Sequence, residues 1–247
     1  MLSRQIDHSQ KIGFGLFTLL SIASLLAALH LELYVLAGLP VVALAVMAAT
    51  INIRSLFFLL LFLLPLSVEF EVGSSLRTDF PSEPIMAGLM IVTFAYLIKQ
   101  AKKLDFSFFA HPLAILLAVH FAWIVVAVIN SPNQLVSWKY LLAKTWYISV
   151  FFILAGLILK DEKTIRKFFW LIFIPLSLVV LQTMVRHGLK GFSFDDVNTQ
   201  MWPFFRNHVT YAAMVTLFFP FISLAMTWYE KGSFKRRLLW WARILFL

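Results

Sequence analysis

The chain has 247 residues, 61% of them hydrophobic and only 13% charged, with 26 Phe, no Cys and a formal charge of +9. A soluble domain of this length needs a polar surface that this composition does not supply, and the mean hydropathy of +0.87 agrees. Without cysteine there is no disulfide framework and no thiolate ligand or nucleophile. In an apolar chain the positive charge belongs to cytoplasmic loops, so no nucleic-acid partner is expected.

Apolar runs of roughly 15 to 21 residues recur along the sequence, the length that bilayer-spanning helices require. Spans are predicted over residues 12–29, 33–49, 55–68, 84–98, 112–129, 145–159, 168–185 and 209–229. The first run has no small-residue cleavage site after it and reads as a retained span. A ninth run begins near Leu238 and has about ten residues before the chain stops, about half a bilayer at 1.5 Å per residue. The expected fold is therefore all-α. It is a polytopic transmembrane bundle of about eight full spans plus a truncated ninth, one domain over 1–247, and the N-terminal part of a longer protein.

Counting Lys and Arg on alternate sides orients the chain. One side holds Arg4, Lys11, Arg54, Lys99, Lys102, Lys103, Lys160, Lys163, Arg166, Lys167, Lys231, Lys235, Arg236 and Arg237. The other holds Arg77, Lys139, Lys144, Arg186, Lys190 and Arg206, with Arg243 left aside. Fourteen against six puts the N-terminus in the cytoplasm and residues 186–208 on the outer face.

That outer loop is the longest polar interruption in the chain, RHGLKGFSFDDVNTQMWPFFRNHVTY over 186–211. Asn207 is a good N-cap for the span that follows. The free N–H groups and dipole of that helix start, together with Arg206, make an anion pocket at headgroup depth. His208 is a candidate proton donor or hydrogen-bond donor beside it, and the plain alternative for the pair is an interfacial anchor. Arg77, Lys139 and Lys144 are further outer cations suited to a phosphate, against the alternative of solvated or snorkelling side chains. Lys139 and Lys144 project about 140° apart on a helix, so at most one points into the bundle. Asp195 and Asp196 read as solvated carboxylates, and no metal is expected. His120 and Gln182, mid-span, are expected to be buried hydrogen bonders between helices.

The segment FFRNHVTYAAMVTLFFPF, residues 204–221, resembles the opening of the core module in the O-antigen ligase and O-antigen polymerase superfamily. The segments SVEFEVGSSLRTDFPSEPIM (67–86) and LVSWKYLLAKTWYI (135–148) resemble outer regions of its ligase-like members. The resemblance implies a GT-C-like membrane glycosyltransferase of the bacterial inner membrane. Such an enzyme moves a glycan from undecaprenyl diphosphate onto lipid A-core or another glycan, at the periplasmic face, with no metal, nucleotide or other cofactor. It implies that outer cations grip the diphosphate, here Lys139 and Arg206. In the family a large loop further along carries more of the catalytic groups, so this chain alone is expected to be inactive. The competing class is a transporter or a lipid or polysaccharide flippase, which places ionisable groups at mid-membrane depth. Here the cations cluster at the outer rim.

Overall fold

A computed structural model describes residues 8–30, 36, 38–72, 76–100 and 106–246 of the chain. Ten α-helices and one two-stranded hairpin are described: α1 His8–His30, α2 Leu39–Leu63, β1 Val68–Val72, β2 Leu76–Phe80, α3 Ser82–Gln100, α4 Pro112–Ile129, α5 Gln134–Tyr147, α6 Ala155–Ile158, α7 Glu162–Leu189, α8 Val197–Met201, α9 His208–Met226 and α10 Phe234–Leu245. A π-helical segment, Ile148–Leu154, joins α5 to α6. Among the described residues six helical stretches are long and apolar enough to cross a bilayer: Leu39–Leu66, Ser82–Lys99, Pro112–Ile129, Gln134–Ile158, Glu162–Leu189 and His208–Met226. This is a multi-pass helical membrane protein.

The predicted fifth span coincides with α4, and the eighth begins one residue late against α9. The predicted second and third spans fall in one element that is not one straight helix. At Asn52 the backbone leaves helical space (φ −155°, ψ 86°), and its side-chain oxygen accepts the Ser55 N–H at 2.9 Å. Asn52 thus caps a second helical piece inside α2, which is how a polar break of few residues reads in structure. Residues 33–35, at the start of the predicted second span, lie outside the described residues. The run after Leu238 belongs to α10, which starts earlier, at Phe234, with Ser233 accepting the Arg236 N–H at 3.4 Å. That helix is amphipathic, with Leu239 and Ala242 buried and Trp241 exposed, and it is not among the six spanning stretches.

The described residues fall into two compact units, one drawn from the ranges 1–24, 38–57 and 84–158, the other from 25–37, 58–83 and 159–247. In the first unit, α2 and α3 approach closely at Gly88, where an added Cβ would lie 2.5 Å from Ala45 Cβ. Helices α4 and α5 pack through Ile124, Val128 and Leu141. The turn between them is tied by Gln134, whose amide donates to Ser131 O at 2.7 Å. Thr145 Oγ1 donates to Leu141 O and Ser149 Oγ to Thr145 O, both at 2.7 Å, at the entrance to the π segment. Hydroxyls that bond back to their own helix loosen the regular ladder.

In the second unit α7, α9 and α10 share one apolar core that includes Phe169, Phe173, Val180, Phe218, Ile222 and Leu239. Phe169 stacks on Phe173 and on Phe218, with centroids 5.2 and 5.6 Å away. At the far end of α7 from the 190–207 loop, Arg166 bonds Glu162 at 2.6 Å and lies over the Trp228 ring. Trp170 Nε1 donates to Tyr229 OH at 2.8 Å in the same corner.

Candidate functional site

The 67–84 stretch, expected as an outer loop, contains an antiparallel hairpin with Glu69 opposite Asp79 and Phe70 opposite Thr78. The alternation Val-Glu-Phe-Glu-Val is the period-2 pattern of a strand with one polar face, so the signal was present in the sequence. Alternation puts Glu69, Arg77 and Asp79 on one face, and on the other Phe70 meets Phe80 edge-on at 6.2 Å. Arg77 pairs with Glu69 at 3.7 Å. Thr78 Oγ1 donates to Glu83 Oε2 at 2.7 Å, fastening the hairpin to the first turn of α3.

The 190–207 loop is shaped by its own polar groups. Arg186 donates to the carbonyls of Trp202 and Thr199, which pins the turn leading into Arg206 against the end of α7. His187 Nε2 contacts Ser193 O at 2.9 Å, across a reversal in which Gly191 (φ 66°) and Phe192 (φ 55°) take left-handed conformations. Such a φ suits Gly191 and is unusual for Phe192. Asp195 is exposed and Asp196 half-buried ahead of α8. Among the described residues no group of three or more metal-ligating side chains comes together.

Asn207 caps α9 as its residue type predicts: it is extended (φ −158°, ψ 169°) and accepts the Thr210 N–H at 2.9 Å and the Thr210 hydroxyl at 3.0 Å. Arg206, just before the cap, is exposed and lines a cavity of about 250 Å³ with Glu69, Asp79, Trp202, Phe204 and Thr210. Among the described residues its guanidinium has no hydrogen bond and no carboxylate within 4 Å. A free guanidinium therefore faces a cavity that two carboxylates also line. Sequence reasoning missed Glu69 and Asp79, because their distance from Arg206 along the chain hides the shared cavity.

The other expected site residues are placed differently. His208 points to Asn198, whose Oδ1 accepts the His208 backbone N–H at 3.1 Å and lies 2.8 Å from Nδ1. Because that atom already accepts an N–H it is oxygen, so Nδ1 carries a proton and the neutral ring keeps its lone pair on Nε2. His208 does not line the cavity of Arg206. Arg77 is not in the lining of that cavity and pairs with Glu69, which is. Lys139 and Lys144 lie on α5 in the other unit, both half-buried, with Lys144 Nζ 5.4 Å from the Tyr140 ring centre. The expectation of buried hydrogen bonding for His120 and Gln182 is overturned, since both side chains are exposed. Their helices meet the surroundings on those faces, a direction that their spans' uniform hydrophobicity could not give.

A second cavity of about 250 Å³ lies in the first unit beside the π segment, lined by Phe94, Leu117, Ala118, Phe121, Ser149 and Phe152 among others. Its walls are almost wholly apolar. Comparison with protein-family models, with curated proteins and with solved structures gave no match.

Proposed function

We propose that the chain serves as a bacterial inner-membrane glycosyltransferase of the O-antigen ligase type, acting at the outer face on undecaprenyl-diphosphate-linked glycan. The observation that carries the reading is the unpaired Arg206 at the capped start of α9, inside a cavity that carboxylates share. Transfer breaks the bond between the anomeric carbon and the diphosphate oxygen, whose electron pair leaves with the diphosphate. A planar guanidinium and a helix N-terminus stabilise charge at that oxygen without a metal. The acceptor hydroxyl loses its proton to a base, and the cavity's carboxylates are of the right chemical class.

Sidedness supports the reading. Four spanning stretches separate the hairpin from the 190–207 loop, so strict alternation returns both to one face, and both line one cavity. From Lys99 to Arg237 the opposite face carries Lys99, Lys102, Lys103, Lys160, Lys163, Arg166, Lys167, Lys231, Lys235, Arg236 and Arg237. That excess makes it the cytoplasmic face. With the hairpin outside, a single crossing by Leu39–Leu66 puts the start of α2 on the cytoplasmic face.

The test is genetic. Deleting the gene in its own host should leave lipid-linked glycan unattached, and the intact gene should restore surface polysaccharide. Charge-assisted hydrogen bonds contribute roughly 1.5–3 kcal/mol each, so Arg206→Ala should cut transfer about tenfold or more at unchanged membrane abundance. Arg206→Lys should recover only part of it, because an ammonium lacks the planar fork. Full transfer with Arg206→Ala would overturn the assignment.

A further inference from the structure

The hairpin brings a chemistry to the Arg206 cavity that diphosphate binding alone does not call for. Glu69 and Asp79 are direct cross-strand partners on one face, where side chains start about 4.5–5.5 Å apart. Carboxylates are acceptors only and each oxygen takes more than one donor, so two of them side by side have room for ligand hydroxyls and disfavour a further anion. Arg77 pairs with Glu69 at 3.7 Å from outside the lining, and within the lining Arg206 is the cation that faces the two carboxylates. A lining with a guanidinium on the loop and carboxylates on the hairpin is set for a ligand with one anionic end and an uncharged polyol end.

The remaining walls agree. Trp202, 63% exposed, and Phe204 offer apolar faces to the C–H side of a sugar ring. Thr210 spends its hydroxyl proton on Asn207 and keeps its oxygen lone pairs for a donor in the cavity. The volume of about 250 Å³ falls just below the roughly 300–1,000 Å³ of pockets for drug-sized ligands. It suits one sugar ring and not an oligosaccharide.

We propose that this cavity binds a glycosyl phosphate whose single sugar is uncharged, with the sugar hydroxyls on Glu69 and Asp79 and the phosphate on Arg206. The site selects against sugars bearing a carboxylate, which would meet the hairpin's own. This rests on the glycosyl-transfer reading for its biological setting, and the binding it claims is measured separately from transfer.

The experiment titrates the full chain in detergent micelles by ligand-observed NMR, with glucose 1-phosphate, glucuronic acid 1-phosphate and inorganic phosphate as probes. Glucose 1-phosphate should bind about tenfold more tightly than either other probe. In the combined Glu69→Gln and Asp79→Asn variant that advantage should vanish, while inorganic phosphate binds as well as before or better. The comparison of the two sugar phosphates on the unmodified chain needs no variant to fold. Equal affinities for all three probes, no binding of any, or a preference that survives the double substitution would each overturn the proposal. Full transfer by Arg206→Ala in cells, with the sugar preference intact, would instead remove the glycosyltransferase reading and leave the site.

Discussion

The cavity beside the π segment and the cavity at the start of α9 have the same volume, about 250 Å³, and share little else. The first is enclosed by α3 to α5 and the π segment, and its two hydroxyls, on Thr145 and Ser149, are both donated back to helix carbonyls. It has no donor to offer a polar ligand. The second joins a hairpin to a loop far along the chain, and it leaves a guanidinium unpaired beside two carboxylates. In a chain this apolar, closely packed helices yield greasy space without any special arrangement. A polar cavity needs segments held against each other by bonds of their own, here Thr78 to Glu83 and Arg186 to the Trp202 carbonyl.

The contrast can be broken from either side. The larger effect belongs to Ala118→Trp, which fills the apolar cavity from α4. Cross-linking of that cavity by a diazirine-bearing fatty acid should fall about tenfold, with glucose 1-phosphate binding unchanged. A loss of both would mean that the two cavities are not independent. A smaller effect follows from Asn207→Ala, which strips the cap from α9. Losing such a cap costs about 1 kcal/mol, or roughly 2–4 °C in thermal midpoint for a chain of this size. Asn207→Asp should keep the midpoint, since a carboxylate caps as well, and an equal fall in both variants would refute the capping role.

The parts of the fold that the sequence made legible are those written in single-residue chemistry. Pro112 opens α4 and Asn207 opens α9 because each residue type suits a helix start. The hairpin was legible too, in the alternation of 68–72, although hydropathy alone makes it a loop. The π segment was not, because Ile148–Leu154 reads as any apolar helix. At the site, Arg206 stood out as a cation at a helix start. Its carboxylate neighbours did not, since periodicity reports which face a residue shares within one element and nothing about which distant element it meets. The same limit hid the Asn198 contact that turns His208 away from Arg206.

The central claim is that the cavity of Arg206 opens to the outer face, and with no native Cys in the chain single introduced thiols map it cleanly. Ser193→Cys, in the loop that carries Arg206, and Ser131→Cys should react with a membrane-impermeant maleimide in intact spheroplasts. Ser107→Cys and Ser233→Cys should react only after lysis. The reverse pattern, with Ser193→Cys protected until lysis and Ser233→Cys labelled from outside, would place the cavity in the cytoplasm and contradict the account.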